Sequence, residues 1–429
     1  MLRIQHTLMI AGLLMLAPIA SARTGLLELY QYFHANPELS FQEKNTSVRV
    51  ADELRQAGFL VTQNVGGHGV VAVLRNGRGP VLMLRMDMDA LPVEEKTGLP
   101  YASKVRGVEQ NGQEVSVMHA CGHDTHMTVV IGAARELAQQ RDAWQGTLVV
   151  IAQPAEERGA GARMMLDDGL FERFPQPDFN LSLHGAPNLP AGKVGYVAGW
   201  ALANVDSVDI VIHGVGGHGA YPHASRDPVV LVAAVIMNLQ TLVSREIHPI
   251  EPAVVTVGSI HAGTKHNIIS DRADLQLTVR SYSDEVRDKL LSGIRRIATS
   301  QARALNFPED KLPEVIVKDE YTPAMWNDPG LVARSVKILK EVLGDANVVE
   351  VPREMGGEDF ARYGRTEAKI PSFMFRLGTI SKERFSQAQN GQLQLPPLHS
   401  SYYYPDPVQT IDTGVKSMTA LSLDLLARP

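Results

Sequence analysis

Cysteine is nearly absent. Cys121 is the only one among 429 residues, so no disulfide forms within the chain. Neither sign of charge dominates: 41 Lys and Arg stand against 47 Asp and Glu, a formal net charge of −6. This excludes the basic footprint of a nucleic-acid binder, and no Lys/Arg-rich run is present to dock on an anionic membrane. The strand-to-helix elbow Gly-x-Ser-x-Gly is missing, which argues against a serine hydrolase. Internal repeats and low-complexity tracts are missing too. Long apolar runs are scarce, with one exception at the amino terminus. There Arg3 precedes an uncharged, mostly apolar stretch of 16 residues, Thr7–Ala22, that ends in Ala20-Ser21-Ala22. It falls short of the roughly 20 residues a spanning helix needs. Its pattern is that of a cleavable signal peptide over residues 1–22, so a secreted or periplasmic protein with no stable membrane span is expected. No cysteine follows the run, which argues against a lipoprotein.

What remains is a globular composition, 44% hydrophobic and 21% charged, long enough for two or three domains. Three apolar runs, Val81–Met86, Thr147–Gln153 and Phe179–Leu183, read as buried strands. Between the first two, His126–Arg141 has helical periodicity, with Asp124 and Thr125 as expected caps. Strands alternating with helices predict an α/β domain with a largely parallel central sheet. From about Asn204 the rhythm changes. Val208, Ile210 and Ile212 alternate with polar or outward positions, then come a helix over Asp227–Glu246 and strands over Ala253–His261 and Ala273–Tyr282. A helix over Ser283–Leu305 and a strand over Glu314–Tyr321 complete a β-α-β-β-α-β order, the ferredoxin-like pattern. The expected organisation is a catalytic α/β domain in two segments, 23–200 and 323–429. An inserted ferredoxin-like lid occupies 201–322.

Metal-type side chains cluster near predicted strand ends, where the active sites of open α/β sheets lie. The segments are Asp87-Met-Asp89, His119-Ala-Cys121-Gly-His123-Asp124-Thr-His126, Glu156-Glu157, His184 and His399. A lone histidine or a pair of glutamates is ordinarily structural or solvated. Cys-x-His is more informative, since a thiolate and an imidazole two residues apart chelate one cation or two adjacent ones. Carboxylate, imidazole and thiolate together suit zinc, or manganese where oxygen ligands dominate.

These motifs resemble the aminoacylase–carboxypeptidase family of two-metal amidohydrolases, in the branch of hippurate hydrolases and auxin–amino acid conjugate hydrolases. The matching stretches include His34–Glu43, Asp87–Pro92, Met118–His126, Gln153–Glu157, Leu183–Pro187, Gly216–His223, His266-Asn267, Gly356–Phe360 and Leu398–Ser400. The resemblance implies that Cys121, His123, Glu157, His184 and His399 hold two divalent cations per subunit (zinc or manganese, with cobalt as a further option). It implies Glu156 as general base and His218 as the lid residue that stabilises the oxyanion, with His223 as the rival for that role. Asn267 and Arg280 are the implied binders of substrate carbonyl or carboxylate. The wider family has His-x-Asp where this chain has Asp87-Met-Asp89. Cys121 is therefore expected to supply a ligand, with Asp87 and Asp89 orienting others. The implied reaction is hydrolysis of N-acyl or N-aroyl amino acids, with a dipeptidase or carboxypeptidase as the alternative. A metal-binding protein whose catalysis has lapsed is a further reading, against which Glu156 speaks. The expected partner is a small N-acyl amino acid, with no nucleic acid, and a homodimer through the lid.

Overall fold

The structure is a computed structural model that describes residues 25–428. The expected signal peptide, 1–22, lies outside the described residues. The chain divides into two compact units. The first comprises residues up to Gly199, Asn327–Pro352 and Arg362 onward; the second comprises Trp200–Trp326 and Arg353–Ala361.

The first unit is built on an eight-stranded sheet. Its spatial order is Leu60–Gln63, Val70–Asn76, Gly146–Gln153, Val81–Asp87, Phe179–Pro190, Ser372–Ile380, Val194–Tyr196 and Val348–Glu350. The four middle strands run parallel, and antiparallel pairs flank them. Every residue of Gly146–Gln153 is buried, so that strand reads as a continuous apolar run rather than an alternation. Helices His123–Gln139, Pro329–Leu343 and Pro407–Leu425 share one apolar core with the sheet through Met127, Leu331 and Met418. The strand beginning at Phe179 does not end at Leu183. Its pairing with Ser372–Ile380 carries it on to Pro190, so His184 lies within a strand rather than past its end.

Helix His123–Gln139 starts three residues earlier than its periodicity suggests. Asp124 and Thr125 are not its caps; they lie in its first turn. The N-cap is Gly122, at φ 82°. A Cβ there would stand 3.3 Å from the Tyr403 hydroxyl in a backbone region that penalises L side chains.

The second unit has a four-stranded antiparallel sheet in the order Ala253–Ala262, Arg272–Ser281, Asn204–His213, Glu314–Val317. With its two helices, Pro228–Thr241 and Asp284–Ala304, this is the split βαβ arrangement. Asp227 caps the first helix by accepting the Val229 N–H at 2.9 Å, and Ser283 caps the second from Val286 at 3.2 Å. Their inner faces meet the sheet in a core of its own, centred on Leu231, Val235, Leu275, Leu290 and Ile294. The segment Pro228–Glu246 is long and apolar enough to cross a membrane by length and composition alone. Here Leu231, Val232, Val235 and Leu239 pack into the unit's core. Arg353–Ala361 joins this unit, although the sequence places it in the second catalytic segment. The Arg280 guanidinium donates to Met355 O at 2.7 Å and the Tyr282 hydroxyl to Glu354 O at 2.8 Å, which hold it there.

Candidate metal centre

The parallel strands Val81–Asp87 and Gly146–Gln153 end side by side, with Asp87 opposite Gln153. The chain leaving the first carries Asp89, and the chain leaving the second carries Glu156 and Glu157 on a 3₁₀ turn. The amino end of helix His123–Gln139 brings in Cys121 and His123, the adjacent strand brings His184, and a loop late in the chain brings His399. The structure gathers all of these in the first unit. The ligand atoms of Cys121, His123 and His184 lie within 4.8 Å of one another, as do those of Cys121, Glu157 and His399, and of His123, Glu156 and Glu157. Cys121 belongs to the first two triads, so its sulfur is the ligand-type atom that the two have in common.

Hydrogen bonds decide which histidine nitrogen faces the cluster. His123 Nδ1 donates to Asp89 O at 2.7 Å, and His184 Nδ1 donates to Gly185 O at 2.9 Å. The His184 Nε2 is thereby left unprotonated in the neutral ring, 3.6 Å from Cys121 Sγ, whereas burial of His123 is outweighed by Asp87, Asp89 and Cys121, which hold its pKa well above the ordinary value. His123 Nε2 and Glu157 Oε1 are buried with no hydrogen-bond partner. Burial first, then His126 and Arg376, hold the His184 pKa well below its ordinary value, so the ring is a neutral lone-pair donor. Burial, with help from Glu157, holds the Cys121 thiol well above its usual range. A cation reverses that balance, because a coordinating thiol loses its proton outright. Orphaned donor atoms that converge from a sulfur, imidazoles and a carboxylate fit divalent cations.

Asp87 and His126 fall within ligand distance of His123, but their polar atoms are engaged with other protein groups. His126 uses both nitrogens: Nδ1 donates to Asp87 Oδ1 at 2.7 Å, and Nε2 accepts the Gly185 N–H at 2.9 Å. The other Asp87 oxygen accepts from Arg85 Nη1 at 2.5 Å. Burial would raise the Asp87 pKa, but Arg85, His123 and His126 keep it well below the carboxylate range. Asp87 thus orients His126, which braces the Gly185 backbone beside His184. Asp89 acts through the main chain. Its carboxylate accepts the N–H groups of Glu156 at 3.1 Å and Glu157 at 3.0 Å, and the Ser40 hydroxyl at 2.6 Å.

Three further features are not assigned roles by the sequence motifs. Glu43, fully buried, accepts the N–H of Ala155 at 2.7 Å and of Phe41 at 3.0 Å. Both residues have positive φ, 49° and 69°, where side chains are strained. Glu43 and Asp89 together therefore hold three consecutive amides, 155 to 157, and set the turn that carries the two glutamates. Burial, then the Asp89 charge, raises the Glu43 pKa to about 8. His34 donates to Asp124 at 2.7 Å and to Glu95 at 3.0 Å. Burial would lower its pKa, but these two carboxylates carry it to about 9, so it is an imidazolium that ties the start of the chain to the ligand-bearing helix. Arg85 has the one signal a sequence could offer: it shares a strand face with Asp87, two residues on.

The four remaining residues lie in the second unit. His218 lies in, and Asn267 directly precedes, a short two-stranded antiparallel pair, both exposed; Gly217–His218 pairs with Ile268–Ile269. His218 Nδ1 accepts the Ala220 N–H at 3.0 Å, which leaves Nε2 to carry the proton in the neutral ring. His223 is exposed on the adjoining 3₁₀ turn. Arg280 is half-buried on the central strand Arg272–Ser281, in a different sheet from that strand pair, and is held by Met355 O.

A largely parallel sheet with imidazole, thiol and carboxylate groups converging beside it, plus an adjacent carboxylate, has the make-up of a metallohydrolase site. Comparison with known proteins agrees. Residues 83–400 match the family described as peptidase family M20/M25/M40. The chain is 34% identical over 406 residues to thermostable carboxypeptidase 1 of Saccharolobus solfataricus, covering 94% of each. It is 38% identical over 362 residues to hippurate hydrolase of Campylobacter jejuni, covering 84% of this chain and 90% of that one. Among solved structures, a dinuclear metal-binding peptidase of family M20 from Bacillus subtilis matches with a TM-score of 0.75 at 29% identity, covering 95% of this chain and 99% of that one. The chain belongs to peptidase family M20/M25/M40.

Proposed function

We propose that this protein hydrolyses the amide bond of N-acyl or N-aroyl amino acids, releasing a carboxylic acid and a free amino acid. The observation that carries this reading is Glu156, next to the ligand Glu157 and within reach of His123, beside two ligand triads that share Cys121. Cys121, His123, His184, Glu157 and His399 would hold two divalent cations, which would lower the pKa of the attacking water and polarise the scissile carbonyl. Glu156 takes the proton of the attacking water and hands it to the leaving amine as the C–N bond breaks. His218, with its Nε2–H available, donates to the developing oxyanion, and His223 is its alternate. Asn267 and Arg280 recognise the carbonyl and the free carboxylate of the substrate. The mixed sulfur, nitrogen and oxygen set favours zinc, with manganese and cobalt as alternatives.

A carboxypeptidase activity is the second reading, supported by the 34% identity to thermostable carboxypeptidase 1. One panel separates the two. N-acetyl, N-benzoyl and indole-acetyl amino acids are assayed beside dipeptides, with zinc, manganese or cobalt restored. Faster turnover of the acyl amino acids supports the first reading, and faster turnover of peptides the second.

The protein is proposed to be exported through residues 1–22 and to pair with a second copy through its second unit. There the strand Ala253–Ala262 is paired on one side only, and helix Pro228–Thr241 exposes Val229, Val230 and Met237. Sedimentation at a dimer's mass, lost in Met237→Glu, is the expected result.

A further inference from the structure

Distance alone does not choose which carboxylate joins His123. Its buried Nε2 lies 3.7 Å from Asp87 Oδ2, 3.8 Å from Glu156 Oε2 and 3.9 Å from Glu157 Oε1. Two ligands of one tetrahedral zinc stand roughly 3.4 Å apart, so all three oxygens come close to that spacing. The ligand atoms of Asp87, His123 and His126 also form a buried triad, within 4.8 Å of one another. By position, Asp87 is as good a ligand as Glu157.

What separates the two is the partner each oxygen has. Glu157 Oε1 is buried without a hydrogen-bond partner, which leaves it open to a cation. Asp87 Oδ2 accepts from Arg85 Nη1 at 2.5 Å, and Asp87 Oδ1 accepts from His126 Nδ1 at 2.7 Å. Arg85 is 1% exposed and Asp87 not at all, so water does not screen the pair. A guanidinium keeps its charge at any working pH. A divalent cation that took Asp87 Oδ2 would have to displace that guanidinium and stay beside its charge.

Arg85 is itself fixed in direction. It lies on the interior strand Val81–Asp87, on the same face as Asp87. Its Nε donates to Gln153 Oε1 at 3.0 Å, on the neighbouring strand that ends opposite Asp87. The buried Tyr363 hydroxyl donates to the same oxygen at 3.1 Å. Gln153 thereby holds the guanidinium toward Asp87, and Tyr363 holds Gln153. Loss of the guanidinium alone would leave a buried, uncompensated carboxylate beside His123, and a cation is what compensates such a group.

We propose that Arg85 is the positioning residue that keeps Asp87 out of the ligand set and thereby sets the metal preference of the centre. With Asp87 held, sulfur and imidazole keep their share of the ligands, which suits zinc. With Asp87 released, a hard anionic oxygen joins them and manganese gains. The inference rests on the two-cation reading above and is independent of which amide is cleaved.

The test uses the full chain, stripped of metal and reloaded with zinc, manganese or cobalt. Wild type is compared with Arg85→Met, Asp87→Asn and the double variant. One readout is the ratio of manganese to zinc affinity. The other is the visible absorption of bound cobalt, which weakens as added oxygen ligands raise its coordination number. Arg85→Met is expected to raise the ratio on the order of 10- to 100-fold and to weaken the cobalt bands. Asp87→Asn alone keeps the wild-type bands, because Asp87 touches no cation while Arg85 holds it. The double variant returns both readouts to those of Asp87→Asn, which a merely structural loss at Arg85 does not do. An unmoved ratio and spectrum in Arg85→Met overturn the proposal and leave the metal centre standing, as does a change that survives in the double variant. If Arg85→Met does not fold, Asp87→Asn decides: altered cobalt bands there make Asp87 a ligand in wild type and overturn the proposal. A wild-type chain that takes up no divalent cation overturns the metal centre itself, and this inference with it.

Discussion

At the scale of single residues, the proposed site separates groups that would bind cations from groups that aim them. Cys121 is the clearest case. Its sulfur is common to two ligand triads, and burial keeps it a thiol until a cation takes the proton's place. Metal is therefore expected to protect Cys121 from alkylating reagents, and chelation to expose it. Cys121→Ser should weaken metal binding, because a neutral hydroxyl replaces an anionic ligand. Equal alkylation with and without metal would remove Cys121 from the ligand set. His34 is a group that aims. Its pKa rises from 6.5 to about 9 on folding, so the folded state holds its proton more tightly than the unfolded chain. The stability it contributes is complete below pH 6.5 and is lost as pH climbs through 9, amounting to on the order of 3 kcal/mol. Urea denaturation from pH 6 to pH 10 should show this fall in wild type and a flatter course in His34→Gln. Parallel courses would show that the imidazolium is not formed.

At the scale of elements, one turn does most of the positioning. The 3₁₀ turn Glu156–Arg158 follows Ala155, which is held at φ 49° by the Glu43 carboxyl, while Asp89 holds the next two amides. Glu43→Ala orphans the buried Ala155 N–H, at about 1–3 kcal/mol, together with the part-buried Phe41 N–H, and frees the turn. Displacing a catalytic group by about 1 Å costs on the order of 10²-fold in rate. Glu43→Gln keeps the accepting oxygen and, because Glu43 is largely protonated at neutral pH, should behave nearly as wild type. Adding Ala155→Gly to Glu43→Ala should restore part of the melting temperature, since glycine accepts positive φ, without restoring kcat. Recovery of both together would reduce Glu43 to a purely structural role. These contacts explain what the sequence conceals. The candidate ligands declare themselves because each stands in a short motif of the family the sequence resembles. Glu43 meets Ala155 across 112 positions, and His34 meets Asp124 across 90. Only the fold brings such pairs together, and no local periodicity encodes them. The start of helix His123–Gln139 is misread for a related reason: a left-handed Gly122 caps it where a polar side chain would ordinarily do so.

At the scale of the whole molecule, the ligands and Glu156 belong to the first unit, and His218, Asn267 and Arg280 to the second. The proposed division of labour predicts distinct kinetic defects. His218→Ala should lower kcat chiefly. Arg280→Ala should bring kcat/KM for an N-acyl amino acid closer to that of its carboxamide. If wild type already treats acid and amide alike, no carboxylate clamp exists, and if the variant keeps the preference, another residue supplies it. The class of fold was legible from alternating runs, and the second unit from its period-two strands. The return of Arg353–Ala361 to the second unit was not, because hydrogen bonds of Arg280 and Tyr282 to backbone carbonyls hold it there. The account stands on Glu156 as the base that turns a metal site into a hydrolase. The decisive measurement is bound metal per subunit and kcat/KM on an N-acyl amino acid, in wild type and Glu156→Gln. The expected result is unchanged metal content with a rate on the order of 10²- to 10⁴-fold lower. Near wild-type turnover would contradict it, and a rate lost together with the metal would make Glu156 a ligand instead.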